Sequence, residues 1–154
     1  MKYKKALIFG TYDPLHYAHI RLFERASKLA REVYACTESD EIIRKNKKRD
    51  PFTTEIERVK DLRGIKYLKN VFIRTEKINR DFYVKMLKPD VLILGSDWKG
   101  KKWEGEGLGV KIIYLPRTEG ISSTDIRNGL GISKIKTIQS KIQDCCKAVR
   151  GFIG

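Results

Sequence analysis

The only two histidines of the chain, His16 and His19, lie three residues apart and follow a short apolar run that ends at Gly10. If a helix begins near His16, both imidazoles point from its first turn toward the same anion, such as a phosphate. Gly10 lets the backbone turn tightly and approach a ligand without a β-carbon in the way. Histidine pairs at this spacing also occur in metal sites and as ordinary surface pairs. Their place at a strand-to-helix turn, where open α/β sheets bind ligands, favours a phosphate site without a protein-bound metal.

A second stretch that could bind phosphate runs from Arg117 to Thr124. Ser122, Ser123 or Thr124 can cap a helix that starts at about Asp125. A helix N-terminus offers free N–H groups and a partial positive charge, so its hydroxyls and backbone amides can bind phosphate. A simple capping role is the plain alternative, and it is compatible with phosphate binding.

Two further groups of polar residues follow predicted strands. Residues 38–53 are polar and strongly basic, and we interpret them as a flexible loop whose lysines can close over a triphosphate. Asp97 follows Gly95 at the end of another predicted strand, where its carboxylate is suited to hydrogen bonds with ribose hydroxyls or a base amino group. A solvated loop and an ordinary turn residue are the alternatives for these two segments.

The elements that must position these residues alternate between strands and helices. Short apolar runs predict strands over 6–9, 33–37, 71–74, 91–94 and 111–115. Apolar residues at helical spacing predict helices that begin near His16 and run to 31, and helices over 54–68, 82–87, from about 125, and over 132–149. Continuous apolar strands joined by helices are typical of a parallel sheet. We therefore expect an α/β fold with a parallel five-stranded sheet and helices on both faces.

Size and composition fit one soluble domain. The 154 residues are enough for a single core, and 41% of them are hydrophobic, with no apolar run near the roughly 20 residues that a membrane span needs. The chain enters its first predicted strand without a signal-peptide pattern, so we expect a cytoplasmic location. Cys36, Cys145 and Cys146 suit neither a disulfide framework nor a zinc site and are interpreted as reduced thiols.

The net charge is strongly positive, because 33 Lys and Arg outnumber 19 Asp and Glu to give +14. A field of that sign concentrates anions, which include nucleoside triphosphates, sugar phosphates, nucleic acids and acidic membrane surfaces. Much of the excess positive charge is explained by solubility alone, so the charge by itself does not identify which of these anions is the partner.

Two of these stretches together resemble a known family. Residues 10–13 with 16–19 resemble the HxGH signature of the nucleotidylyltransferase superfamily, with Ala18 in place of the usual glycine. Residues 117–124 match the RTEGIS(S/T)T signature of its cytidylyltransferase branch. The resemblance covers about residues 3–130 and is strongest to the glycerol-3-phosphate cytidylyltransferases. It implies a Rossmann-like fold of nucleotidylyltransferase type over 1–130, with residues 131–154 as a C-terminal helical extension.

The resemblance also implies roles for individual residues. The catalytic residues would be His16, His19 and Lys48, with Lys47 as the nearest rival of Lys48. The nucleotide would be bound by Gly10, Thr11, Tyr12, Asp97, Arg117, Thr118, Ile121, Ser122, Ser123 and Thr124. The acceptor substrate would be bound by Asp13, Lys66 and Trp98.

Two positions depart from the family pattern. Lys66 stands where the family has an arginine that binds the substrate phosphate, and a lysine keeps the charge but loses the bidentate fork. The segment from Gly95 to Gly100 resembles the family's GDDWxG, but Ser96 stands where the relatives usually have an aspartate. Both departures concern the choice of substrate.

The function implied by the resemblance is transfer of CMP from CTP to a small phosphorylated alcohol, with release of pyrophosphate and with Mg²⁺ bound through the triphosphate. Glycerol 3-phosphate is the first candidate acceptor, and choline phosphate, ethanolamine phosphate or another polyol phosphate would use the same chemistry. A homodimer is expected from the resemblance alone.

Two alternatives stay open. One is an adenylyltransferase of the same superfamily. The other is a basic nucleic-acid-binding module, which is disfavoured because no pattern of aromatic and basic residues for base stacking recurs along the chain.

Overall fold

The structure is a computed structural model that describes residues 1–102, 107–120, 122–128 and 142. Within these residues five strands form one parallel sheet in the order β3-β2-β1-β4-β5. The strands are β1 (Tyr3–Phe9), β2 (Ala30–Glu38), β3 (Asn70–Arg74), β4 (Val91–Gly95) and β5 (Lys111–Leu115). The helices are α1 (Tyr17–Ser27), α2 (Asp40–Lys47), α3 (Glu55–Arg63), α4 (Arg80–Leu87) and α5 (Ser123–Arg127), and a 3₁₀ turn spans Ser96–Trp98. The predicted five-stranded parallel sheet is confirmed.

Helices cover both faces of the sheet, as the sequence predicts. Side chains alternate along β1, so that Ile8 packs in a buried cluster with Phe23 of α1 and Leu62 of α3. Leu7 packs in a second cluster with Leu87 of α4. Because β1 lies at the centre of the sheet, the turn that follows it reaches the middle of the edge formed by the carboxyl ends of the strands.

The prediction that residues 38–53 form a loop is wrong for residues 40–47, which are the helix α2. Ser39 caps this helix by accepting a hydrogen bond from the N–H of Ile42, and acidic residues in the first turn and basic residues in the last complement the helix dipole. Ile42 and Ile43 are buried. A short amphipathic helix therefore carries most of the charges that we had interpreted as a flexible loop closing over a triphosphate.

The ends of two helices also differ from those that the sequence predicts. The first helix ends at Ser27, not at residue 31, because the chain from Ala30 onward pairs with β1 as a nine-residue strand. The helix that was predicted over 54–68 begins after Thr54, which forms a capping box with Glu57. It ends at Arg63, where Gly64 forms the C-cap, and not near residue 68.

Three sequence-based expectations concern a membrane span, the cysteines and the C-terminal extension. Among the described helices, none is both long enough and apolar enough to cross a membrane. Cys36 is a buried free thiol. Cys145, Cys146 and the predicted C-terminal extension, with the exception of Ile142, lie outside the described residues.

Candidate functional site

A cleft of about 590 Å³ lies at the carboxyl ends of the strands, a size within the range of small-molecule sites. Most of the residues that the sequence singled out line it. They are Gly10, Thr11, Tyr12, Asp13, His16, His19, Asp97, Trp98, Arg117, Thr118, Ser122 and Ser123. Lys48, Thr124 and Lys66 are not among the lining residues, and Ile121 lies outside the described residues.

The two histidines form a stacked pair at the start of α1, with ring centroids 3.8 Å apart. His16 is the N-cap residue, and its Nδ1 accepts a hydrogen bond from the N–H of Ala18 at 3.2 Å. Nδ1 of His19 accepts from the N–H of His16, also at 3.2 Å. Since both Nδ1 atoms are acceptors, each neutral ring carries its proton on Nε2. The pair therefore offers two Nε2–H donors to a ligand in the cleft.

Burial keeps both histidines neutral. It lowers the pKa of His16 to about 4, with a further contribution from the positive charge of Arg117. Burial also holds the pKa of His19 well below its ordinary value, and the adjacent His16 acts in the same direction. At neutral pH these rings donate hydrogen bonds without a net charge, and an anion bound beside them would raise both pKa values.

Gly10 is required for a different reason from the one that its sequence position indicates. A β-carbon at this residue would lie 2.6 Å from Cζ of Tyr12, so the ring of Tyr12 fills the space that we had expected a ligand to use. Tyr12 has a left-handed backbone conformation, with φ of 53°, and its ring packs edge-on against His19. Because Gly10 has no β-carbon, the ring of Tyr12 can lie against it and pack on the imidazole of His19.

The two signature stretches meet at the turn after β1. The hydroxyl of Ser123 donates to the carbonyl oxygen of Pro14 at 3.1 Å. Nη1 of Arg127 donates to the carbonyl oxygen of Asp13 at 2.7 Å, and its Nη2 donates to Oγ1 of Thr124 at 3.1 Å. Ser122 caps α5 by accepting from the N–H of Asp125. Residues more than a hundred positions apart are therefore joined by direct hydrogen bonds beside the histidine pair.

Asp13 lines the cleft, but both of its carboxylate oxygens are hydrogen-bonded to the segment after α2. They accept from the side chains of Arg49 and Thr53 and from the N–H groups of Phe52 and Thr53, at 2.7–3.0 Å. Burial raises the pKa of Asp13, but these hydrogen bonds outweigh it, so the net pKa is lowered. Asp13 therefore anchors residues 49–53, and its contact with the acceptor stays a prediction.

One end of the cleft is formed by the segment after β4 and the first residues of the segment after β5. Oδ1 of Asp97 lies 2.6 Å from the position that a β-carbon on Gly95 would take, so a larger residue at 95 would displace this carboxylate. Oγ of Ser96 accepts a hydrogen bond from the N–H of Arg117 at 3.3 Å. Ser96, which departs from the family pattern, therefore joins the two segments at this end.

The structure favours Lys47 over Lys48 as the cleft lysine. Lys47 is the last residue of α2 and lines the cleft, whereas Lys48 is the left-handed C-cap, with φ of 52°, and does not line it. The reason is the helix that the sequence analysis missed. Neighbouring residues on a helix point in directions about 100° apart, so adjacent lysines do not face the same surface.

The prediction that Lys66 binds the acceptor is not supported by its position. Lys66 precedes β3, and so lies toward the amino end of the strand, whereas the cleft is at the carboxyl ends. Its ammonium group lies 5.2 Å from the centre of the Tyr67 ring. The lysine contributes to a surface cation–π contact and does not line the cleft.

The sequence analysis did not name six charged residues that also line the cleft, which are Glu38, Arg49, Arg74, Arg80, Lys102 and Arg127. Glu38 ends β2 and Arg74 ends β3, and carboxyl-end positions of neighbouring strands meet at one edge of a parallel sheet. Glu38 and Arg74 could therefore have been predicted from their positions at the ends of two predicted strands. Arg49, Arg80 and Arg127 had no comparable signal, because charged residues are common near helix ends.

In the described part of the chain, no three His, Cys, Asp or Glu side chains lie close enough together to hold a metal ion. An ion bound through triphosphate oxygens and water needs no such group of ligands. Besides Asp13, the carboxylates of Glu38 and Asp97 line the cleft. Either of these two can accept a hydrogen bond from a water bound to such an ion.

Comparison with known proteins agrees with the geometry. The sequence model of the family described as Cytidylyltransferase-like matches residues 7–129. The glycerol-3-phosphate cytidylyltransferase of Bacillus subtilis is 33% identical over 124 residues, which cover 80% of this chain and 95% of the relative. The FAD synthase of Pyrococcus horikoshii is 31% identical over 119 residues, which cover 73% of this chain and 80% of the relative.

The fold is also found among solved structures. A lipopolysaccharide core biosynthesis protein from Thermoplasma volcanium superposes with a TM-score of 0.62 at 22% identity, over 77% of this chain and 99% of that chain. The family match spans both segments that meet at the cleft, and the fold is that of the nucleotidylyltransferases. The chain is therefore a nucleotidyltransferase-type enzyme that belongs to the cytidylyltransferase-like family.

Proposed function

We propose that the chain transfers CMP from CTP to a small phosphorylated alcohol, with glycerol 3-phosphate as the first candidate. The observation that carries the proposal is the hydrogen bond from Ser123 to the carbonyl of Pro14, which brings the RTEGISST stretch beside the histidine pair in one cleft. The glycerol-3-phosphate cytidylyltransferase relatives support the choice of CTP and of the acceptor.

The reaction is a direct displacement at phosphorus. An oxygen of the acceptor's phosphate attacks the α-phosphorus of CTP, a new P–O–P linkage forms, and the bond between the α-phosphorus and the bridging oxygen to the β-phosphate breaks. The electron pair of that bond leaves with pyrophosphate. No covalent enzyme intermediate is needed, so catalysis consists of positioning the reactants and stabilising negative charge.

Each group in the cleft has a role in this reaction. The Nε2–H groups of His16 and His19 donate to oxygens on the reacting phosphate, and Lys47 neutralises charge on the triphosphate. Arg117 and the Ser122–Ser123 segment bind the nucleotide phosphates, and Asp97 binds the ribose or the base. Mg²⁺ bound with the triphosphate would be held through its waters by Glu38 or Asp97, and it would supply positive charge that stabilises the leaving pyrophosphate.

A second candidate is an adenylyltransferase that uses the same cleft with ATP. The FAD synthase relatives, which are 30–34% identical, are the observation that favours it. The stretch from Arg117 to Thr124 favours CTP, because it resembles the signature of the cytidylyltransferase branch.

The test is a panel assay of pyrophosphate release, with CTP or ATP against glycerol 3-phosphate, choline phosphate, ethanolamine phosphate and flavin mononucleotide. We expect release with CTP and glycerol 3-phosphate that requires both substrates and Mg²⁺. Release with ATP alone among the triphosphates would establish the second candidate. Absence of release from either triphosphate would contradict both.

A further inference from the structure

The edge of the sheet opposite the cleft carries a cluster of basic residues. Parallel strands place their amino ends at one edge, so the residues that begin or closely precede the five strands lie on a common surface. Nine of these residues are Lys or Arg, and eight of the nine are exposed. We call them the basic edge, which consists of Lys2, Lys4, Lys5, Lys28, Arg31, Lys66, Lys69, Lys88 and Lys111.

The basic edge is convex, because β1 and β2 start before the other three strands. Tyr3 at the start of β1 pairs with Ala30 at the start of β2, whereas β4 begins only opposite Ala6. The first residue of β3 pairs with Tyr34, four residues beyond the start of β2. At about 3.3 Å per residue, the end of the β1–β2 pair projects roughly 10 Å beyond its neighbours. Four of the nine cations lie on this projecting end, and they are Lys2, Lys4, Lys28 and Arg31.

The charges of the basic edge are not neutralised within the described part of the chain. None of the nine side chains forms an ion pair there. The two nearby carboxylates have other partners. Oε2 of Glu32 accepts from the hydroxyl of Tyr34 at 2.8 Å, and Oδ2 of Asp90 accepts from the N–H groups of Lys4 and Lys5 at 2.8 Å. Like charges in one cluster repel each other, so an anionic partner would relieve this repulsion.

The basic edge is too far from the cleft to attract the ligands of the cleft. β1 runs from Tyr3 at the basic edge to Phe9 beside the cleft, about 20 Å at 3.3 Å per residue. Exposed charges are largely screened beyond roughly 10 Å. Helix dipoles account for Lys28 and Lys88, which are the C-cap residues of α1 and α4. Most of the cluster thus serves neither the cleft nor the end of a helix.

We propose that the basic edge binds the surface of an anionic lipid bilayer, with the cleft facing the solvent on the other side of the molecule. A projecting surface can rest on a flat bilayer, whereas single-stranded nucleic acid is bound in grooves that follow its backbone. Eight of the nine cations are lysines, whose mobile point charges suit loosely placed headgroup phosphates. The Tyr3 ring, which could stack on a base, has the ammonium groups of Lys2 and Lys111 5.7 Å from its centre. These features favour a bilayer over a nucleic acid.

The test measures binding of the full chain to lipid vesicles by sedimentation. Vesicles of phosphatidylcholine and phosphatidylglycerol in equal parts are compared with vesicles of phosphatidylcholine alone. We expect binding to the anionic vesicles only. The binding should be lost between about 0.05 M and about 0.5 M salt, because the contact is electrostatic. Saturating CTP should leave the binding unchanged, since the cleft is at the opposite edge of the sheet.

Two pairs of substitutions separate the basic edge from the net charge of the protein. Lys2→Gln combined with Lys28→Gln should weaken binding to anionic vesicles about 25-fold, at roughly fivefold for each charge near the bilayer. The control combines Lys45→Gln with Lys77→Gln. Lys45 lies in α2 and Lys77 precedes α4, so this pair removes the same charge from the other edge of the sheet. It should change the binding less than about twofold, because these charges lie beyond the screening length.

Each result either upholds or overturns the proposal. Salt-sensitive binding to anionic vesicles that only the Lys2 and Lys28 pair weakens would uphold it. Equal binding to neutral vesicles, no binding to anionic vesicles, or equal losses in the two pairs would overturn it. Tighter binding to DNA or RNA with the same dependence on Lys2 and Lys28 would assign the basic edge to nucleic acid instead. Release from the vesicles by CTP would show that the cleft, not the basic edge, binds the headgroups. None of these results depends on turnover, so the proposed function is tested separately.

Discussion

The hydroxyl of Ser123 donates a hydrogen bond to the carbonyl oxygen of Pro14 at 3.1 Å, across 109 positions of sequence. Pro14 lies between the turn after β1 and the histidine at the start of α1, so this bond places the start of α5 directly beside the histidine pair. The carbonyl of the preceding residue, Asp13, accepts from Arg127 of the same helix. The position of α5 and of the serine-rich segment before it thus depends on main-chain oxygens of the turn, which remain when side chains of the turn are substituted.

Replacing either histidine should remove catalysis without unfolding the protein. Asparagine keeps an acceptor near the position of Nδ1, and it is a good N-cap residue, but it lacks Nε2. We expect His16→Asn and His19→Asn each to lower kcat by about 10²-fold or more, the usual effect of removing one preorganised donor. Turnover in either variant near that of the unchanged protein, with the fold intact by circular dichroism, would contradict the catalytic role of that ring.

The stability of the protein should fall in acid because of the same pair. The pKa of His16 is lowered to about 4 in the folded protein, whereas an unfolded histidine has a pKa of about 6.5. Between these values the unfolded chain binds a proton that the folded chain does not, so stability present above about pH 6.5 is lost as the pH falls.

The measurement is urea unfolding at pH 7.5 and pH 5.0. His16 should account for about 2 kcal/mol of the loss between them, at 1.4 kcal/mol per pH unit below 6.5. His16→Asn lacks this proton uptake, so its own loss should be smaller by that amount. Equal losses in the two proteins would show that His16 titrates normally in the folded state.

Lys47 and Lys48 form a matched pair for testing which lysine acts in the cleft. Lys47→Ala should lower kcat/KM by about 10²-fold, because a cation beside the triphosphate is lost. Lys48→Ala should have little effect, since Lys48 does not line the cleft. Steady-state kinetics of the two variants decide the point, and the reverse result would restore Lys48 as the catalytic residue.

Asp13 should contribute more to stability than Asp50, an exposed aspartate in the segment that Asp13 anchors. Asp13→Asn removes a buried charge that accepts from Arg49, Phe52 and Thr53, so we expect a loss of about 3 kcal/mol in the free energy of unfolding. The control is Asp50→Asn, whose side chain is 89% exposed and pairs with Arg44 at the surface. Similar urea midpoints for the two variants would show that Asp13 is not an anchor.

The fold and the position of the cleft were predictable because both depend on local patterns. Continuous apolar strands, the capping residue Thr54 and the turn at Gly10 are each specified within a few residues. A parallel sheet then brings the carboxyl ends of its strands together. These features led from the sequence to the edge at which the cleft lies.

The details that depend on tertiary contacts were not predictable. The role of Gly10 depends on where the Tyr12 ring packs, and the role of Asp13 depends on the conformation of residues 49–53. Because residues 38–53 are strongly charged, the sequence analysis did not predict α2. Without this helix, it could not tell which of Lys47 and Lys48 faces the cleft. The homodimer and the bound Mg²⁺ stay predictions, since both depend on molecules outside the chain.

The claim that the histidine pair and the serine-rich segment form one nucleotide site is tested most directly by a crystal structure with CTP and Mg²⁺ bound. We predict that Nε2 of His16 or His19 lies within about 3 Å of an oxygen on the α-phosphate, a normal hydrogen-bond length. Arg117 and Ser123 should lie beside phosphates of the same molecule. A nucleotide bound away from the histidines, or contacts with only one of the two segments, would contradict the claim.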